Sequence, residues 1–155
     1  MPDTLASSRS SFYPTTVVKD SEGNVLIGNG LDRIARWNGV LSASRNAGVD
    51  APAAAPGVSA SGTDGGAYAG SYVCYFRYVD EDGHYSDLSP VRTVTAAATN
   101  SFSWSSLTAS SDAKVVSKEL WRSTAGQATT LYRVTTVSNA TTTYSDTTDD
   151  DTLEA

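Results

Sequence analysis

From residue 68 onward, apolar and polar positions alternate in short runs. The longest run, Tyr68 to Val79, puts Tyr72, Cys74, Phe76 and Tyr78 on one parity and Val73, Tyr75, Arg77 and Val79 on the other. A period of two belongs to a strand with one face on a core. The first set is the more uniformly apolar, which predicts that it faces inward, with Arg77 outward. Asp80-Glu81-Asp82-Gly83 then reads as a hairpin turn with Gly83 in the left-handed conformation. The chain resumes through His84 to Pro90 and into Val91–Thr95, where Val91, Thr93 and Thr95 oppose Arg92 and Val94. Pro90 stands at the start of that strand, where the ladder needs no N–H from it. Four further strands are expected around Trp104 (101–105), Leu120 and Trp121 (115–122), Tyr132 (130–137) and Tyr144 (141–146), with Gly126 turning the chain before the third. Beyond residue 57 no helical period is sustained, apart from a short turn near 110–114. Spacings of about 10–14 residues with turn residues between them predict an all-β sandwich.

The N-terminal third differs. Thr16-Val17-Val18-Lys19 and Val25-Leu26-Ile27-Gly28 flank a polar stretch ending in Gly23-Asn24, which predicts a hairpin. Asn29-Gly30 and Asn38-Gly39 mark further turns. The segment Leu31–Trp37 reads either as a short strand or as a helical turn, since Leu31, Ile34 and Ala35 share one helical face. Residues 1–16 are polar and predict an arm ordered by contact with something else. Phe12 and Tyr13 interrupt it, either as an anchor for a partner or as cover for the domain's own edge. Pro52 and Pro56, among small residues, predict an extended linker. The expected organisation is an arm with short strands over 1–50, a Pro/Ala linker over 51–57, a sandwich over 58–148 and an acidic tail over 149–155.

Composition narrows the chemistry. Of the 155 residues, 39% are hydrophobic and 18% charged, with net charge −6. That charge argues against binding nucleic acid through a general positive field. There is no apolar run long enough to span a bilayer, and the first residues lack the basic-then-apolar pattern of a signal peptide. The single cysteine, Cys74, rules out an internal disulfide and predicts a buried small hydrophobe. The single histidine, His84, rules out a multi-histidine metal centre, and no nucleophile accompanies it, so the chain is read as a non-enzyme with no cofactor. Candidate cation ligands are Asp80 and Asp82 in the hairpin turn and Asp149 and Asp150 near the C-terminus. The same carboxylates fit a solvated hairpin tip and a repelling, frayed tail. Tyr75, Tyr85, Tyr132 and Trp37 are candidate binding aromatics if their rings are exposed.

Several segments resemble a fibronectin type III domain. Tyr72-Val73-Cys74-Tyr75-Phe76-Arg77-Tyr78-Val79-Asp80-Glu81-Asp82-Gly83-His84-Tyr85-Ser86 is similar to its F strand and F–G turn. Ser101-Phe102-Ser103-Trp104 is similar to its B strand, Lys118–Gly126 to its C strand, and Thr141–Thr147 to its E strand. The likeness covers about residues 57–148. The F-like and G-like strands come first, which implies a fibronectin type III/immunoglobulin-like sandwich with rotated strand order, or an F–G pair placed ahead of one. The N-terminal segments Asn29-Gly30-Leu31-Asp32-Arg33 and Arg36-Trp37-Asn38-Gly39, followed by the linker and the sandwich, resemble virion structural proteins of tailed bacteriophages. That resemblance implies a head–tail connector (neck), tail or decoration component located in the virion. Its partners would be other virion proteins and further copies of itself, with neither nucleic acid nor membrane. Phe12, Tyr13, Arg33, Arg36 and Trp37 are then the candidate partner-binding residues. The alternative is an adhesion or carbohydrate-binding module on a phage fibre or bacterial surface.

Overall fold

The computed structural model describes residues 15–31, 34–39 and 45–153, and the chain divides into two units, 1–48 and 49–155. Unit 1 is a four-stranded antiparallel meander of β1 (Thr16–Lys19), β2 (Val25–Gly28), β3 (Ala35–Trp37) and β4 (Arg45–Asn46), in that order. The β1–β2 turn forms because Asp20 Oδ1 accepts the N–H groups of Glu22 and Asn24, at 2.9 and 2.8 Å. Gly23 adopts φ +90° there. Over residues 35–37 the chain takes the strand rather than the helical turn, because Ala35 and Arg36 pair with both β2 and β4. Ile27 and Ala35 are its buried apolar residues.

Unit 2 contains two antiparallel sheets. One has the order β10 (Tyr132–Ser138), β9 (Val115–Arg122), β6 (Gly70–Asp80), β7 (Arg92–Ala96); the other β11 (Tyr144–Asp146), β8 (Ser101–Ser105), β5 (Gly57–Ser61). Their facing sides share one core, made of Tyr72, Cys74, Phe76 and Tyr78 from β6, Leu120 from β9, Phe102 and Trp104 from β8, and Val58 from β5. Tyr72 and Phe102 meet edge to face across the sheets, 4.8 Å between ring centroids. The result is the expected all-β, sandwich-like arrangement, with the inward parity of β6 as its alternation predicts.

Two boundaries differ from expectation, and the facing of β7, left open by its sequence, is set by the core. The segment before residue 58 is not a free linker: Pro52 and Pro56 are buried, Val49 packs on the core, and Gly57 already starts β5. A Cβ at Gly57 would meet the Ser105 hydroxyl of β8, which would have to turn aside. The β7 residues that face the core are Val94 and Ala96, whereas Val91 is exposed. Over its described residues, 149–153, the acidic C-terminal segment is not frayed. It forms a short helical turn, α1 (Asp150–Leu153), with Asp150 buried, and the reason lies in the ion network described next.

Candidate functional site

β9 carries charge on its core side. Lys118 and Arg122 flank Leu120 on the inward face, and all three are fully buried. Lys118 Nζ donates to the carbonyls of Leu107 and Thr141, at 2.6 and 2.7 Å, and burial holds its pKa below the usual lysine range. Arg122 is engaged on every side. Its Nε donates to Asp146 Oδ2 (2.8 Å), its Nη1 to Asp150 Oδ1 (2.6 Å) and its Nη2 to the Thr148 carbonyl (2.7 Å). The other Asp150 oxygen accepts the Tyr72 hydroxyl (2.7 Å) and the Ala125 N–H (3.2 Å). The guanidinium also lies 4.8 Å from the Phe102 ring centroid. Burial, then the bond to Asp150, pushes the Tyr72 hydroxyl pKa well up. This is a structural clasp: one guanidinium bridges two buried carboxyl groups and ties residues 146–150 to β6 and β9. Asp150, a candidate cation ligand, has its oxygens taken by these donors. Asp149 is exposed.

The hairpin turn after β6 is organised by Asp80. Its carboxylate is buried, and Oδ1 accepts the N–H groups of Asp82 and His84, at 3.0 and 2.8 Å. Gly83 adopts φ +81°, the left-handed value the turn requires. Asp80 is thus a turn staple and not part of a solvated tip, while Asp82 is exposed. Asp80, Asp82 and His84 bring one ligand atom each within 4.8 Å of one another, the one such trio among the described residues.

The outer face of the four-stranded sheet gathers aromatic and charged side chains. Register sets Tyr75 beside Trp121 and Trp121 beside Arg133; in the next row Arg77 lies beside Glu119. Glu119 is the hub. Its carboxylate accepts Arg77 Nε (2.8 Å), Arg133 Nη1 (3.1 Å) and the Trp121 indole N–H (3.1 Å). Burial acts to raise its pKa, but the hydrogen bonds from Arg77 and Arg133 and the Arg77 charge hold it below the usual carboxylate value. The Arg77 guanidinium lies 3.8 Å from the Tyr85 ring centroid and 4.9 Å from that of Trp121. Tyr85, held by a bridge to Val79, is 54% exposed.

Unit 1 presents a different surface. Thr16, Val18, Leu26, Gly28, Gly30 and Ile34 line an open groove of about 590 Å3 on one face of the meander. Val18 and Ile34 are both 53% exposed, and Val17 and Leu31 are exposed as well.

Of the candidate binding aromatics, Tyr75 lies beside Trp121 on the outer sheet face and Tyr85 beside Arg77 on the same face. Tyr132 pairs with inward-facing Arg122, and Trp37 lies half-buried on β3 of unit 1. Trp121 went unread as a surface ring because it follows Leu120 directly; adjacent strand residues face opposite ways, so one is core and the other outer face. Arg36 shares the Val18–Leu26 row of the meander. Phe12, Tyr13 and Arg33 lie outside the described residues. Compared with protein-family models, curated proteins and solved structures, the chain matches none. No helix among the described residues is long and apolar enough to cross a membrane.

Proposed function

We propose that this chain is a non-enzymatic structural component of a tailed-phage virion, a neck, tail or decoration protein. Unit 2 serves as a rigid module, and unit 1 makes contacts with neighbouring virion proteins and with further copies. The observation that carries this reading is the apolar face of the meander. A unit of 48 residues leaves Val18 and Ile34 more than half exposed in its groove beside Leu26, while Val17 and Leu31, outside the groove's lining, are exposed as well. Contiguous apolar surface of this kind marks sites of interaction. Short edge strands, unpaired on one side, add a second mode of contact through main-chain hydrogen bonds.

The fibronectin type III-like reading of unit 2 draws support from strand neighbours. In immunoglobulin-type sandwiches E lies beside B on one sheet, and F lies between C and G on the other. Here E-like β11 lies beside B-like β8, and F-like β6 lies between C-like β9 and β7. A rotated order needs the usual E-to-F connection to be open. In keeping with that, the segment after β11 ends against the residues leading into β6, with the Asp150 N–H donating to the Gly66 carbonyl. β5 occupies the remaining place beside β8, ahead of the F-like strand.

The test is mass spectrometry of density-banded particles from the source. Co-banding at a fixed low ratio to the major capsid protein is expected for a neck or tail component, and a ratio near parity for decoration. Absence from particles overturns the proposal.

A further inference from the structure

We propose that the outer face of the four-stranded sheet binds an anionic polysaccharide, with Tyr85 and Trp121 stacking on sugar rings and Arg133 pairing with a carboxylate or phosphate carried by the chain. The proposal rests on unit 2 alone and is independent of the assembly reading.

Three observations carry it. First, the rings are preset. Trp121 is pinned through its indole N–H to Glu119, and Tyr85 lies over the Arg77 guanidinium with more than half of its surface open to solvent. A ring fixed before binding loses little conformational freedom on contact, which suits a weak ligand presented many times along a polymer. Second, the charge is complementary to a sparse anion. Arg77 and Arg133 share one buried carboxylate, so the patch carries a net single positive charge on a chain of net −6. The Arg133 side chain is 56% exposed and spends one donor on Glu119 Oε1, leaving the rest of its fork toward solvent. Third, the residues stand on the sheet face. The main chain of β6 and β9, inside the sheet, is taken up by its neighbours, so an extended peptide could add a strand only along the β10 edge and not across the rings. A single-stranded nucleic acid needs a positive groove that follows several phosphates, and one net charge does not supply it. Ring faces with one flanking guanidinium match a pyranose chain that bears an acid at intervals.

The experiment titrates the full chain, by tryptophan fluorescence and calorimetry, with three anionic oligosaccharides: an oligogalacturonate, a sialylated and a phosphorylated one. A neutral glucan oligosaccharide, a poly-glutamate peptide and an oligothymidylate run beside them. Saturable binding of at least one anionic sugar is expected, weakening as salt rises. Tyr85→Ala and Arg133→Ala should each lower its affinity about tenfold, the scale of losing an anchor residue. Ser103→Ala, on the opposite sheet, should leave it unchanged. Both test positions are exposed, and unaltered thermal melts would separate lost binding from lost fold; Trp121→Phe, which keeps a ring but loses the bond to Glu119, is the conservative check. The proposal is overturned by any of three results. These are no saturation with any anionic sugar, binding that Arg133→Ala leaves intact or that the neutral glucan matches, and saturation by only the peptide or the oligonucleotide.

Discussion

Arg122 shows how much one buried side chain can hold. It faces two carboxylates, a carbonyl and an aromatic ring with no exposed surface. Arg122→Ala strands Asp146 and Asp150 in the interior and should cost about 3–5 kcal/mol in chemical denaturation. Lys118→Met is milder, because it keeps the volume and removes only the donor to two carbonyls; a loss of about 1–3 kcal/mol is expected in the same measurement. Cys74 tests the core from another side. Burial pushes its thiol pKa up to about 12, so iodoacetamide at neutral pH should label it only after denaturant is added, and native-state labelling would contradict the buried placement. At this scale the sequence was legible wherever alternation was clean, as in Tyr72, Cys74, Phe76 and Tyr78. It was misleading at Asp150, read as part of a frayed tail, and silent on the burial of Lys118 and Arg122. Charge normally marks solvent, and the partners that make these three interior residues acceptable lie 11 to 78 positions away along the chain.

Among the elements, β6 and β9 announce themselves and β5 does not. Gly57-Val58-Ser59-Ala60-Ser61 follows two prolines and offers one large apolar residue, so its composition does not mark a strand; pairing with β8 makes it one. The C-terminal α1 is likewise set by tertiary contact, since four residues cannot sustain a helix on propensity alone. Its docking depends on Gly66, where a Cβ would fall on the backbone and side chain of Asp149. Gly66→Ala should therefore displace the segment, at a cost of about 1–3 kcal/mol, with faster amide exchange in residues 148–153 as the direct readout. Of the outer-face cluster, the sequence supplied Tyr75 and Tyr85 but not Glu119 as their organiser, because register between β6 and β9 decides which residues meet.

The molecule as a whole divides its stability unevenly. The large core belongs entirely to residues 49–155. A fragment with those bounds should fold alone and melt within a few degrees of the full chain; a molten fragment would refute the division. Acid should weaken it through Glu119. A carboxyl whose folded pKa lies below its unfolded value stabilises the fold above that unfolded value, here 4.5, and the contribution fades as pH falls through the folded pKa. Glu119→Gln should flatten that acid limb of melting temperature against pH, whereas an unchanged slope would place the sensitivity elsewhere.

The two outer faces of the sandwich are also unequal. On the three-stranded sheet, Ser59, Ser103 and Ser145 form one exposed row across β5, β8 and β11. Nothing in that row packs against the core, and register is fixed from beneath by Val58, Phe102 and Trp104. That side of the protein is therefore a blank page. Threonine at these positions should stiffen the sheet by a few tenths of a kcal/mol each, and an affinity handle or a dye written there should leave the aromatic face on the far side to work undisturbed.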